Sequence, residues 1–234
     1  MKLLEKCLGM LYPQTCCFCG EISREPICNT CKKEVVYLTE PRCKKCGKPI
    51  TAEEKEYCFD CNQRQTAFEQ GKNLWLHQGK VKWSIYQFKY HNRRIYGKFY
   101  AREMYRLYGN WIRKSEIDLI IPVPLHKKRR RKRGYNQAEI IAKELGKLTG
   151  IPVDTTSLIR KKYTNPQKEL NHNDRKKNLK DAFEMRKQWT DFKHILVIDY
   201  IYTTGNTINE IAKVIKKEEN LKVWFLTISI GQGF

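Results

Sequence analysis

In the second half of the chain, apolar positions come in short, nearly unbroken runs separated by polar stretches. Residues 117–124, 194–199 and 223–230 are each of strand length, with few polar interruptions, as parallel strands buried on both faces are. Between them, residues 138–148 and 208–217 have helical spacing. Strands alternating with helices predict a parallel α/β sheet. Residues 153–159 read as a further strand. Upstream, residues 96–114 read as a helix carrying Phe99, Met104, Leu107, Tyr108 and Trp111. The segment 63–92 is aromatic and β-prone, with Trp75, Trp83, Tyr86, Phe88 and Tyr90. The alternation Val81, Trp83, Ile85 predicts two strands there, the second half-buried, and the aromatics are read as core rather than as a platform for bases.

The run from His194 ends in Asp199, and Thr203-Thr204-Gly205-Asn206-Thr207 follows before the helical pattern begins. That order is strand, polar turn, helix N-terminus. A helix N-terminus has unpaired N–H groups and a partial positive charge, so it can hold a phosphate. Gly205 allows close backbone approach to an anion, and three threonine hydroxyls add donors. Asp199 falls at a strand's carboxyl end, where open α/β sheets bind ligands. A capped turn without a ligand is the plainer alternative, since Thr and Asn also cap helices.

Nine of ten cysteines lie between Cys16 and Cys61. They form four Cys-x-x-Cys knuckles: Cys16/Cys19, Cys28/Cys31, Cys43/Cys46 and Cys58/Cys61. Four knuckles make two tetrahedral four-cysteine zinc sites, closed and therefore structural. Gly20 and Gly47 follow the second cysteine of their knuckles. Sequential pairing (16, 19, 28, 31 and 43, 46, 58, 61) is expected, and interleaved pairing (16, 19, 43, 46 and 28, 31, 58, 61) fits the spacing too. Cys7 and Cys17 are left over. So small a segment draws much of its folding free energy from the metal.

Charge narrows the partners. With 46 Lys and Arg against 25 Asp and Glu, the formal charge is +21, a field that favours polyanions. Seven consecutive cations occupy 127–133, after a predicted strand and before a predicted helix. They read as an exposed, mobile loop beside the Thr-Thr-Gly crevice, where cations would meet phosphates. Asn136 and Gln137 read either as helix caps or as ligand groups. His126 and His172 lack a carboxylate partner in sequence and read as surface residues. No apolar run approaches the roughly 20 residues that span a bilayer, and the N-terminus lacks a signal-peptide pattern. Cytoplasmic location without membrane insertion is expected, and ten cysteines in a reducing compartment point to metal rather than disulfides.

The turn at 199–207 resembles the loop that binds phosphoribosyl pyrophosphate (PRPP) in type I phosphoribosyltransferases. The series around it is more specific: four knuckles, Lys89, Pro122-Val123-Pro124-Leu125, Arg133-Gly134-Tyr135-Asn136-Gln137-Ala138, Thr164-x-x-Gln167-x-x-Leu170, Arg175-x-x-Asn178 and Ala182-Phe183. Over essentially its whole length the chain resembles the ComF family of late-competence proteins. The resemblance implies an α/β fold: a double zinc-ribbon module over 1–62, a joining segment of aromatic strands and a helix over 63–115, and a parallel-sheet, phosphoribosyltransferase-like domain over 116–234. It implies work on single-stranded DNA in natural transformation, alongside a DNA-uptake helicase or channel at the inner face of the membrane. PRPP with Mg²⁺ would meet Asp199, Thr203, Thr204, Gly205, Asn206 and Thr207, with Lys89, Arg133 and Arg175 on pyrophosphate or DNA phosphate. One departure stands out. The family's loop carries two adjacent acids for the ribose hydroxyls, and here the second is Tyr200, which keeps the phosphate cradle but weakens ribose recognition. Three functions therefore stay open: a competence protein with a phosphate pocket, an active phosphoribosyltransferase using Asp199, and a zinc-dependent adaptor.

Overall fold

The computed structural model describes residues 14–51, 55–163, 179, 181–217 and 220–231. Its centre is a parallel sheet of β1 (Gly71–Leu76), β2 (Leu119–Pro122), β5 (His194–Tyr202) and β6 (Lys222–Ile230), in the order β1-β6-β5-β2. Beyond β2, Val153 adds one parallel bridge to Ile120. The strand predicted over 153–159 ends there because Asp154 Oδ1 accepts from the backbone N–H groups of Thr156 (2.7 Å) and Ser157 (3.0 Å), an Asx turn that competes with the ladder. The chain is extended again only in β3 (Leu158–Arg160), antiparallel to β4 (Phe183–Met185).

Both faces of the sheet are buried, as the unbroken apolar runs require. On one side Leu196, Ile198, Leu226 and Ile228 pack with α4 (Tyr96–Lys114) and α6 (Gln137–Thr149). On the other, Ile195, Val197, Val223 and Phe225 pack with α7 (Asn206–Ile215). No described helix is long and apolar enough to cross a membrane.

Two expectations are corrected. Residues 79–90 are not a strand but helix α3 (Gly79–Tyr90). Its buried residues are Val81, Ser84, Ile85 and Phe88, a three-to-four-residue repeat. The apparent alternation came from counting Trp83 as core, whereas Trp83, Tyr86 and Tyr90 face outward. The cationic run is no loop either. It is helix α5 (Lys127–Arg133), opened by His126, whose Nδ1 accepts from Lys128 N at 3.2 Å, and closed by Gly134 at φ +76°. Lys and Arg are good helix formers, none of the seven is buried, and Arg130 pairs with Glu139 of α6 at 3.1 Å.

The ribbons are docked, not tethered. Each first knuckle closes on a glycine, with Gly20 N–H on Cys16 O and Gly47 N–H on Cys43 O, both at 2.9 Å, and both glycines have positive φ. The later cysteine pairs are seated by α1 (Asn29–Glu34) and α2 (Phe59–Asn62). Phe18 meets Trp75 edge-on at 5.3 Å. Leu38 N–H reaches Leu74 O (3.0 Å), Gly71 N–H reaches Lys45 O (2.8 Å), and Asn73 Nδ2 reaches Cys46 O (2.8 Å). The ribbons thus cover the edge that β1 would otherwise expose.

Candidate functional site

Two arrangements carry chemistry. The first is the pair of thiol clusters. Cys16, Cys19, Cys28 and Cys31 form one, and Cys43, Cys46, Cys58 and Cys61 the other, with all sulfurs of a cluster within 4.8 Å. Pairing is sequential. Across the knuckles, Cys19 and Cys28 Sγ lie 3.8 Å apart and Cys46 and Cys58 Sγ 3.6 Å. A tetrahedron with Zn–S near ~2.3 Å has sulfur–sulfur edges of about 3.8 Å, so the clusters fit zinc. Four sulfurs each leave no open position, which makes the sites structural. Backbone N–H groups of Phe18 and Cys28 point at Cys16 Sγ, each at 3.4 Å. Cys17 is buried, belongs to neither cluster, and has its thiol pushed up by burial. Cys7 lies outside the described residues.

The second is a cleft of about 810 Å³ at the carboxyl end of β5. Asp199, Tyr200, Ile201, Thr203 and Thr207 line it from β5 and the following turn, and Lys82 and Lys89 from α3. Arg129, Lys132 and Arg133 enter from α5, and Arg160 from β3. Six Lys and Arg side chains therefore face one carboxylate among the described lining residues. The strand-to-helix connections at β2 and β5 explain the convergence, because the two strands are parallel neighbours and deliver their loops to the same carboxyl end of the sheet.

Asp199 is 8% exposed, and its Oδ1 accepts from Tyr200 N–H at 2.8 Å. Burial pushes its carboxyl up to about 6, and the Tyr200 N–H, Lys89 and Arg160 offset only part of that. Burial also drives the Tyr200 phenol up, but Lys89 and Arg133 outweigh it and the net change is downward. Lys89 Nζ sits 5.1 Å from the Tyr200 ring centre. Arg160 is pushed down to about 10, first by burial and then by Arg129.

The turn itself is tightly specified. Gly205 is the residue before α7, at φ +76°, and a Cβ there would fall inside the Tyr202 phenol. No side chain caps α7. Thr204 Oγ1 and Asn206 Nδ2 are buried without a hydrogen-bond partner, as is Arg133 Nη1. Thr203 is exposed at the rim. Asn136 resolves as a cap: its Oδ1 accepts from Ala138 N–H at 3.2 Å while its Nδ2 donates to Val123 O at 3.0 Å. Gln137 is buried and donates to Lys89 O at 3.2 Å. Arg175, Asn178, His172 and the Thr164–Leu170 motif lie outside the described residues. Arg160 and Lys82 were missed in the sequence. Neither stands in a motif, and only the folding of α3 and β3 onto the cleft brings them there.

Residues 7–62 match the double zinc ribbon domain family. Competence protein F of Haemophilus influenzae is 35% identical over 149 residues, which cover 61% of this chain and 65% of that protein. DNA utilization protein YhgH is 32% identical over 111 residues in Escherichia coli K12 and in Salmonella typhimurium, covering 47% of this chain and 48% of each relative. The chain thus spans less than two thirds of the length of these curated relatives.

Proposed function

We propose that this chain is a ComF-family protein that acts in the uptake of single-stranded DNA, with the β5–α7 cleft as a phosphate pocket of the PRPP type. The observation that carries the reading is the field in the cleft, where the described lining residues include six cations and one carboxylate, the buried Asp199. Such a site favours anions strongly and holds a phosphate against the uncapped start of α7. Thr203 and Thr207 line the cleft at that start and would offer hydroxyl donors to a phosphate, while Thr204 Oγ1 and Asn206 Nδ2 of the same turn are buried without hydrogen-bond partners. Lys89 and Arg133 would take the pyrophosphate, and Asp199 a ribose hydroxyl. Where a second acid would stand, Tyr200 offers one acceptor and no charge at neutral pH. The same cationic field opposes Mg²⁺, so phosphates would be held by Lys and Arg directly. This favours binding over turnover.

Calorimetric titration of the zinc-loaded protein with PRPP tests the reading. Binding is expected with the parent and lost in Thr204→Ala, while Tyr200→Asp should bind PRPP more tightly in the presence of Mg²⁺. No heat from the parent would remove the PRPP pocket. Unchanged affinity in Tyr200→Asp would show that the missing acid is irrelevant.

A further inference from the structure

The cleft does not stop at the β5 turn. It continues into a hollow of about 280 Å³ along α3, and the two share His77, Lys82, Lys89, Tyr90 and Ile201. Trp83, Tyr86 and Tyr90 stand three and four residues apart, on one side of the helix. Tyr86 and Tyr90 are 50% and 54% exposed, with ring centres 5.0 Å apart. A large exposed aromatic stripe marks a binding surface. Lys89 Nζ joins the stripe to the cleft, 5.3 Å from the Tyr90 ring centre and 5.1 Å from that of Tyr200. No Asp or Glu occurs between residues 79 and 90, while Lys80, Lys82 and Lys89 do. Flat rings beside cations match a strand of stacked bases with a regular negative backbone.

We propose that the turn and the stripe form one continuous site for the 5′ end of single-stranded DNA. The terminal phosphate sits at Thr203–Thr207, the next phosphodiester beside Lys89 and Tyr200, and the bases on Tyr90 and Tyr86. The inference rests on the phosphate-pocket reading above and names a different occupant. A terminal phosphate carries nearly two negative charges at neutral pH, against one for an internal diester, so a strongly cationic pocket selects the end. Tyr200 then has a purpose. A DNA 5′-nucleotide has no ribose diol, so two acids are not needed. Its 3′ oxygen leads to another phosphate, which a second carboxylate would repel and which Lys89 beside a neutral phenol accommodates.

The test is fluorescence anisotropy of the full zinc-loaded chain with a single strand of about twelve nucleotides, inside the usual range of single-strand site sizes. The strand carries a 5′-phosphate, a 3′-phosphate or neither. The 5′-phosphorylated strand should bind about tenfold more tightly than both others, the yield of one charge-assisted contact, and Thr204→Ala should erase that preference. Tyr86→Ala, on an exposed side chain outside the phosphate cleft, should weaken all three by about fivefold to a hundredfold and leave PRPP titration unchanged. Equal binding of the three strands overturns the proposal, as does undiminished binding by Tyr86→Ala or equal affinity for a 5′-phosphorylated duplex. PRPP binding without a 5′ preference removes this inference alone. A 5′ preference without PRPP binding removes the PRPP reading and leaves this one.

Discussion

Asp199 is a carboxylate that the fold holds at a cost, and the cost can be measured. It is 8% exposed and its pKa is pushed up to about 6, chiefly by burial, against about 3.9 in an unfolded chain. The native state therefore binds this proton more tightly than the unfolded state. The carboxyl's contribution to stability is full below about pH 3.9 and is lost as pH rises through about 6. At about 1.36 kcal/mol per pKa unit, burying the ionised form disfavours folding by about 3 kcal/mol at pH 8 and by about half that at pH 5. Asp199→Asn removes the titration and retains an oxygen for the Tyr200 N–H. The variant should be more stable than the parent, with a gap that widens by about 1.4 kcal/mol from pH 5 to pH 8. Urea unfolding of both zinc-loaded proteins, followed by tryptophan fluorescence across that range, reads the gap directly, because the zinc thiolates titrate identically in the two. A gap independent of pH, or a parent more stable at pH 8, would refute the argument. A gap of the expected size would mark Asp199 as a residue kept for its ligand rather than for the fold.

Two further outcomes are expected. Replacing Cys46 and Cys58 together by Ser should lower zinc content from two ions per chain to one, measured by elemental analysis of folded protein; loss of both ions would mean interleaved pairing, and retention of both would mean that these thiols are not ligands. For a single strand that engages four to six of the cleft's cations, the slope of log K against log salt should lie near about −3 to −4. Lys82→Gln should shallow it by about 0.7, and a slope near zero would show that phosphate contacts do not drive binding.

The parts of the fold that rest on local rules are legible in the sequence. The three apolar runs became β2, β5 and β6, and the helix over 96–114 has those same limits. The four knuckles announced two metal sites, although spacing alone could not pair them. The sulfur distances settle that as sequential. The errors came where long-range packing decides the period. Trp83 counted as core because it is large and apolar, but it lies over Gly20 of the first ribbon, with its Cη2 3.1 Å from where a Cβ would stand. Ser84, a polar residue, is buried against the Tyr100 hydroxyl at 2.5 Å. One aromatic outside and one serine inside turned a helix into an apparent strand. The cationic run reads as a loop for a related reason: self-repulsion argues against core packing, but not against a helix in which none of the seven residues is buried.

These details assign the zinc ribbons a part in the cleft. Helix α3 carries Lys82 and Lys89 into the cleft and the aromatic stripe beside it, yet only its Val81–Phe88 side is fixed by the core. Its amino-terminal end is held by the first ribbon, where Lys80 Nζ reaches Cys31 Sγ at 3.4 Å and Glu34 at 3.0 Å and Trp83 covers Gly20. At its other end, Tyr135 Oη donates to Phe88 O and Gln137 to Lys89 O, which ties the helix to α6 and the turn after α5. Two of the six cations that line the cleft, Lys82 and Lys89, thus sit on a helix clamped between a metal-ordered ribbon and the cationic segment. A closed four-cysteine zinc does no chemistry on a substrate, but one that fixes α3 determines where Lys89 stands, and Lys89 is the group that faces Asp199, Tyr200 and Tyr90 together.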